Sequence, residues 1–110
     1  MASSELSKSW KRTEAFLLDA RAHLSQEAEA ICDKEIVEFE RFLKHNELEL
    51  ALDALVTAFK NSDFESLRVL ELLALAAASM GLVERQREFD RELTEARGWK
   101  YETSLPQNDA

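Results

Sequence analysis

Phe42-Leu43-Lys44-His45-Asn46-Glu47-Leu48-Glu49-Leu50-Ala51-Leu52-Asp53-Ala54-Leu55 holds a helix end, a corner of two or three residues and the start of a second helix. Asn46 is a favoured N-cap residue, and Glu49, three positions on, has the spacing of a capping box. Beyond the corner, Leu48, Leu52, Leu55 and Phe59 recur at intervals of three and four, which turns one helical face toward a core. Acids decorate the other faces. Nothing here suggests chemistry on a small molecule.

The same period continues in both directions and predicts an all-α fold, a compact bundle of about five helices. Residues 1–102 form a single helical domain in this reading, with 103–110 as a frayed C-terminal tail. The first helix runs from about Glu5 to His23 behind Ser3 or Ser4, with Leu6, Trp10, Leu17, Ala20 and Leu24 inward. The second runs from about Gln26 to Lys44 behind Ser25, with Ala28, Cys32, Ile36, Phe39 and Leu43 on its inner line. No glycine or proline marks the Ser25 boundary, so one bent helix from 5 to 44 stays open.

The third helix spans about Glu47 to Lys60. The fourth spans about Asp63 to Met80, with Ser62 and Glu65 again at capping-box spacing. Its stretch from Leu72 to Ala78 is apolar on every side, which marks a central element whose alanines admit close neighbours. Gly81 and Leu82 read as a Schellman-type stop. The fifth helix runs from about Val83 to Arg97, with Phe89 and Leu93 inward, and stops at Gly98. Trp99 or Tyr101 is expected to fold back onto the core. No stretch alternates with a strand period, and the corners from 46 to 97 lack a tetratricopeptide signature.

Composition narrows the function classes. The chain has 110 residues, 45% of them apolar and 33% charged, enough for one core without staples. Its only cysteine, Cys32, forms no internal disulfide, which favours a reducing compartment. The polar start and the short apolar runs predict neither a signal peptide nor a membrane span, hence a cytoplasmic location. Formal net charge is −8, and residues 25–65 carry eleven acids against four bases. Such a field disfavours direct contact with nucleic acid or an anionic membrane and attracts a basic partner.

Signatures of catalysis and metal binding are missing from the sequence. The residues three before His23 and His45 are Ala20 and Phe42, so the Glu-x-x-His motif of di-metal bundles does not occur. His23, Cys32 and His45 have no zinc-ligand spacing. His45 falls at a helix C-terminus, where it complements the dipole, and Cys32 falls on an apolar line. No glycine-rich loop cradles a phosphate. The expectation is a protein with no enzyme activity, no cofactor and no metal.

The charged faces are the better lead. On the second helix Glu29, Asp33 and Glu40 form one flank, with Glu27 and Glu38 on the other. On the third, Glu49 and Asp53 stand at i, i+4, as Glu29 and Asp33 do. Like charges at that spacing cost a few tenths of a kcal/mol. Glu29, Asp33, Glu40, Glu49 and Asp53 are therefore the expected partner-binding residues, a carboxylate ridge for a partner's arginines and lysines. Glu35 lies near the apolar sector and is expected either to pair with a neighbour such as Arg68 or Lys11, the preferred reading, or to rim a groove. Val37, Leu50 and Ala54 point away from the main apolar faces and are either small exposed anchors of a binding surface or residues covered by the first helix.

The run from Phe42 to Leu55 resembles the phe-(leu/ile)-x-x-(asn/gly)-glu-x-x-leu-ala-leu-(asp/glu)-x-leu corner of small all-helical immunity proteins. These are the MafI-like and related immunity proteins of bacterial polymorphic toxin and contact-dependent growth inhibition systems. Met80-Gly81-Leu82 after a run of small residues also looks like their last core helix and its stop. The resemblance covers roughly residues 36–82 and rests on apolar positions and caps. It implies a cytoplasmic protein that binds and neutralises a cognate toxin domain, often a nuclease, whose basic cleft an acidic surface can occupy. It does not say which acids touch the toxin. A helical adaptor or chaperone-like module is the alternative, and the chain is expected to be a monomer or weak homodimer.

Overall fold

Apolar residues at helical spacing build six α-helices among the described residues: α1 (Ser4–Arg21), α2 (Gln26–Ile31), α3 (Asp33–Lys44), α4 (Leu48–Asn61), α5 (Leu67–Ser79) and α6 (Val83–Ala96). The computed structural model describes residues 4–62 and 66–98, with side chains from Lys8 onward, and no strand occurs among them. The all-α expectation holds. The expected positions of Leu6, Glu65, Trp99, Tyr101 and the tail from 103 lie outside the described residues and side chains.

The Asn46 corner is built differently from a capping box. Glu47, not Asn46, precedes the first turn of α4, and no side chain caps that turn. Asn46 has φ +59°, and the Glu47 N–H donates to the Phe42 carbonyl at 2.8 Å while the Asn46 N–H donates to Leu43 at 3.1 Å. These are the two bonds of a Schellman stop, so Asn46 ends α3 in the left-handed conformation. The same pair recurs at Gly81, where Leu82 bonds to Ala77 at 2.9 Å and Gly81 to Ala78 at 3.0 Å, as the sequence predicts. A left-handed Asn carries a penalty that glycine escapes. Asn46→Gly is therefore expected to raise stability by about 0.5–1 kcal/mol in urea denaturation, whereas loss of a true N-cap would lower it.

Two further boundaries move. Ser62 does not open the fourth helix; it closes α4, its hydroxyl donating to the Ala58 carbonyl at 2.8 Å. Ser66 caps α5 instead, accepting from the Val69 N–H at 3.3 Å. The single helix expected from 26 to 44 is broken at Cys32, which makes six helices rather than five. Ser25 does cap α2, accepting from Ala28 N–H at 3.1 Å. At Cys32 both the backbone N–H (3.0 Å) and the thiol (2.8 Å) donate to the Ala28 carbonyl, and Cys32 sits off the helical conformation at φ −114°, ψ 33°.

Burial first, then the Glu35 carboxylate, push the Cys32 thiol above its ordinary pKa; the Cys32 backbone hydrogen bond and Arg21 oppose them. The native thiol thus holds its proton more tightly than the unfolded one. This contribution is fully present below the unfolded pKa of about 8.5 and is lost as pH rises past it. Urea midpoints are expected to fall above about pH 8.5 in the native chain and less so in Cys32→Ala. A thiol reagent should label Cys32 only on unfolding.

The core is assembled by α4 and α5. Leu48, Leu52, Leu55 and Phe59 are all buried, as the spacing predicts, and Ala51 and Ala58 fill in beside them. Helix α5 packs along α1 and α6, and α4 along α3, with lighter α1–α4 and α4–α5 seams. Ala20 of α1 and Ala76 and Ala77 of α5 are fully covered, consistent with close approach. Leu75, however, is 42% exposed, so the apolar stretch of α5 is not covered all round.

Leu17 and Ala20 of α1, and Leu24 in the turn beyond it, face inward, but Trp10 is 38% exposed. The reason lies in α5, which ends at Ser79 against Ser9, so little of it remains to cover Trp10. Ser9 Oγ donates to the Ser79 carbonyl at 3.1 Å. Thr13 is buried there with its hydroxyl bonded to that of Ser79, a polar clasp between α1 and α5 that periodicity did not reveal.

Candidate partner-binding surface

A short Schellman corner between two helices folds them back as antiparallel neighbours. Cα extents of 49 × 40 × 16 Å make the bundle a slab about two helices deep, which leaves long helix flanks open. One open flank is a groove between α3 and α4 of about 260 Å³. Phe42 of α3 and Leu50 and Ala54 of α4 supply its apolar surface, and Glu35, Glu38 and Asp53 supply carboxylates. Lys34 lines it as well.

The expected anchors separate here. Leu50 is 44% and Val37 57% exposed, whereas Ala54 is only 7% exposed and packs into the core. Ala54 is therefore not an exposed anchor. Leu50 reaches further and stays in the open.

The five predicted contact residues do not share one setting. Glu29 accepts from Arg21 at 2.7 Å, which ties α2 to α1. Asp53 accepts from Arg85 at 2.6 Å, which ties α4 to α6, and Arg85 also lies 5.6 Å above the Phe89 ring. One member of each like-charged i, i+4 pair thus meets a cation from another helix, which relieves the repulsion the sequence suggested. Such part-exposed pairs contribute at most about 1 kcal/mol, so their main effect is neutralisation. Asp33, Glu40 and Glu49 are exposed, and no ion pair holds them among the described residues.

Of the five, only Asp53 lines the α3–α4 groove. Glu35 and Glu38 line it instead of Asp33 and Glu40, because the opposite flank of α3 is the one turned toward α4. The position of Glu35 beside the apolar sector was the available signal. Its partner is neither Arg68 nor Lys11: Asn61 Nδ2 donates to Glu35 Oε2 at 3.2 Å. Arg68 instead meets Glu71 at 3.4 Å and Asp19 at 3.9 Å.

Among the described residues, no three His, Cys, Asp or Glu side chains converge as metal ligands would. Cys32 is buried, and His45 closes α3 as its exposed C-cap. No described helix is long and apolar enough to cross a membrane. No protein-family model, curated protein or solved structure matches the chain.

Proposed function

We propose that this chain is an immunity protein, which binds a basic toxin domain stoichiometrically and neutralises it without catalysis. The observation that carries the reading is the α3–α4 face. There an exposed Leu50 and a half-buried Phe42 are bordered by Glu35, Glu38 and Asp53. Apolar anchors inside a charged rim are the anatomy of a protein interface. Exposed Asp33, Glu40 and Glu49 extend the negative field over the same two helices, which steers a basic partner during encounter. The resemblance at Phe42–Leu55 supplies the class of partner. The left-handed backbone at Asn46 suits the glycine that often occupies this corner in that family.

The apolar groove also favours a second reading, an adaptor that docks a helix or peptide. Salt discriminates the two, because charge-steered binding weakens as ionic strength rises and apolar docking does not. The test is co-expression with the protein encoded immediately upstream. The immunity reading expects a salt-sensitive complex and toxicity of that protein when this chain is absent. No complex and no toxicity overturn it, and a salt-insensitive complex with a harmless partner establishes the adaptor.

A further inference from the structure

The α3–α4 groove offers more than apolar anchors. Glu35, Glu38 and Phe42 recur at intervals of three and four on α3, so they share one flank. Leu50, Asp53, Ala54 and Thr57 do the same on α4. Packing of the two helices sets these flanks against each other around a space of about 260 Å³. That is below the roughly 300–1,000 Å³ of a pocket for a drug-sized molecule, and it suits one long side chain.

Three carboxylates border the groove against a single ammonium, that of Lys34. Two of the three are held in place by their own chain. Asn61 Nδ2 donates to Glu35 Oε2 at 3.2 Å, and Arg85 Nη1 donates to Asp53 Oδ1 at 2.6 Å. A carboxylate has about four acceptor positions, so each keeps capacity for a further donor. Glu38 meets no ion pair or side-chain hydrogen bond among the described residues. Glu35 and Glu38 are half-buried, whereas Asp33, Glu40 and Glu49 are exposed. A cation seated beside the half-buried pair is screened less and is held more strongly.

The carboxylates do not converge on a point, since no three such ligands among the described residues stand as a metal site requires. A compact charge, such as a lysine ammonium, finds no focus there. A guanidinium spreads its charge over a plane with five donors, is weakly hydrated and rides on an apolar stem. We propose that the α3–α4 groove seats one arginine side chain of a basic partner, its stem along Phe42 and Leu50 and its guanidinium at Glu38 and Glu35. Arg41 of this chain already lies 5.1 Å from the Phe42 ring centroid. The incoming arginine therefore lays its methylenes, not its charge, against Phe42. The seat rests on the reading of this face as a partner surface and names what the face selects, arginine over lysine.

The probe is a capped Leu-Arg-Leu peptide, with Leu-Lys-Leu as control, titrated into the full chain and followed by backbone amide NMR. Shifts are expected at Glu38, Leu50 and Ala54, and the arginine peptide should bind several-fold tighter than the lysine one. Glu38→Gln should weaken the arginine peptide by about fivefold, the upper end for a pair near the surface, while Asp33→Asn leaves it unchanged. The comparison of the two peptides uses the unaltered chain, so the outcome does not hang on a variant folding. Equal binding of both peptides overturns the selection of arginine. Shifts spread over all the exposed acids overturn the seat and leave only a diffuse field. No toxin enters this titration. A failed titration beside a toxin neutralised in co-expression removes the seat and spares the immunity reading; a seated arginine peptide with no toxic partner does the reverse.

Discussion

Asp33→Lys, Glu40→Lys and Glu49→Lys combined in one chain are expected to weaken binding to the proposed basic partner by about 2 kcal/mol, close to thirtyfold. The loss should appear chiefly as slower association with a flatter salt dependence, because reversed exposed charges act during encounter. The urea midpoint should stay within about 0.5 kcal/mol of the parent, since none of the three has an ion-pair partner to lose among the described residues. Asp53→Lys gives a less clean result. It would set a lysine against Arg85, whose Nη1 now lies 2.6 Å from Asp53 Oδ1, and so would disturb the α4–α6 link as well as the surface. Isothermal titration and stopped-flow measurements at two salt concentrations read both quantities. Unchanged affinity in the triple variant would sink the choice of these acids, though not the immunity reading itself.

Phe39→Ala is expected to cost about 3–5 kcal/mol, the range for emptying a fully buried aromatic site. Phe39 is the largest fully covered side chain in the core and sits on the inner line of α3. A small domain has only about 5–15 kcal/mol in all, so the variant should unfold at much lower urea or fail to fold at ambient temperature. Phe42, on the same helix, makes the contrast. It is half-buried at the α3–α4 groove, so Phe42→Ala should cost clearly less stability and act on partner binding instead. Equal destabilisation by the two substitutions would mean that Phe42 belongs to the core and not to a contact surface.

Much of the bundle was legible because helical period is a local property. Leu48, Leu52, Leu55 and Phe59 declare one face without reference to any other helix, and Gly81 declares a stop. The break at Cys32 was not legible. No glycine or proline stands there, and the break shows in the Cys32 backbone, which leaves the helical conformation at φ −114°, ψ 33°. The Asn46 corner was found but misread, since Asn serves both as an N-cap and as a left-handed stop, and only its φ separates the two.

The candidate surface was legible only in part. Net charge and its concentration between residues 25 and 65 come from the sequence alone, as do the flanks on which each acid stands. A helical wheel says which residues share a flank, but not which flank a neighbour will cover. Tertiary packing turned the Glu35–Glu38 side of α3 toward α4, brought Arg21 to Glu29 and Arg85 to Asp53, and left Asp33, Glu40 and Glu49 open. The partners of Glu29 and Asp53 stand 8 and 32 residues away along the chain. The sequence by itself determined the helical class, the buried line of α4 and the sign of the field. Which carboxylates remain to meet a partner was decided by packing between helices, because a charge is neutralised by whatever the fold brings close in space.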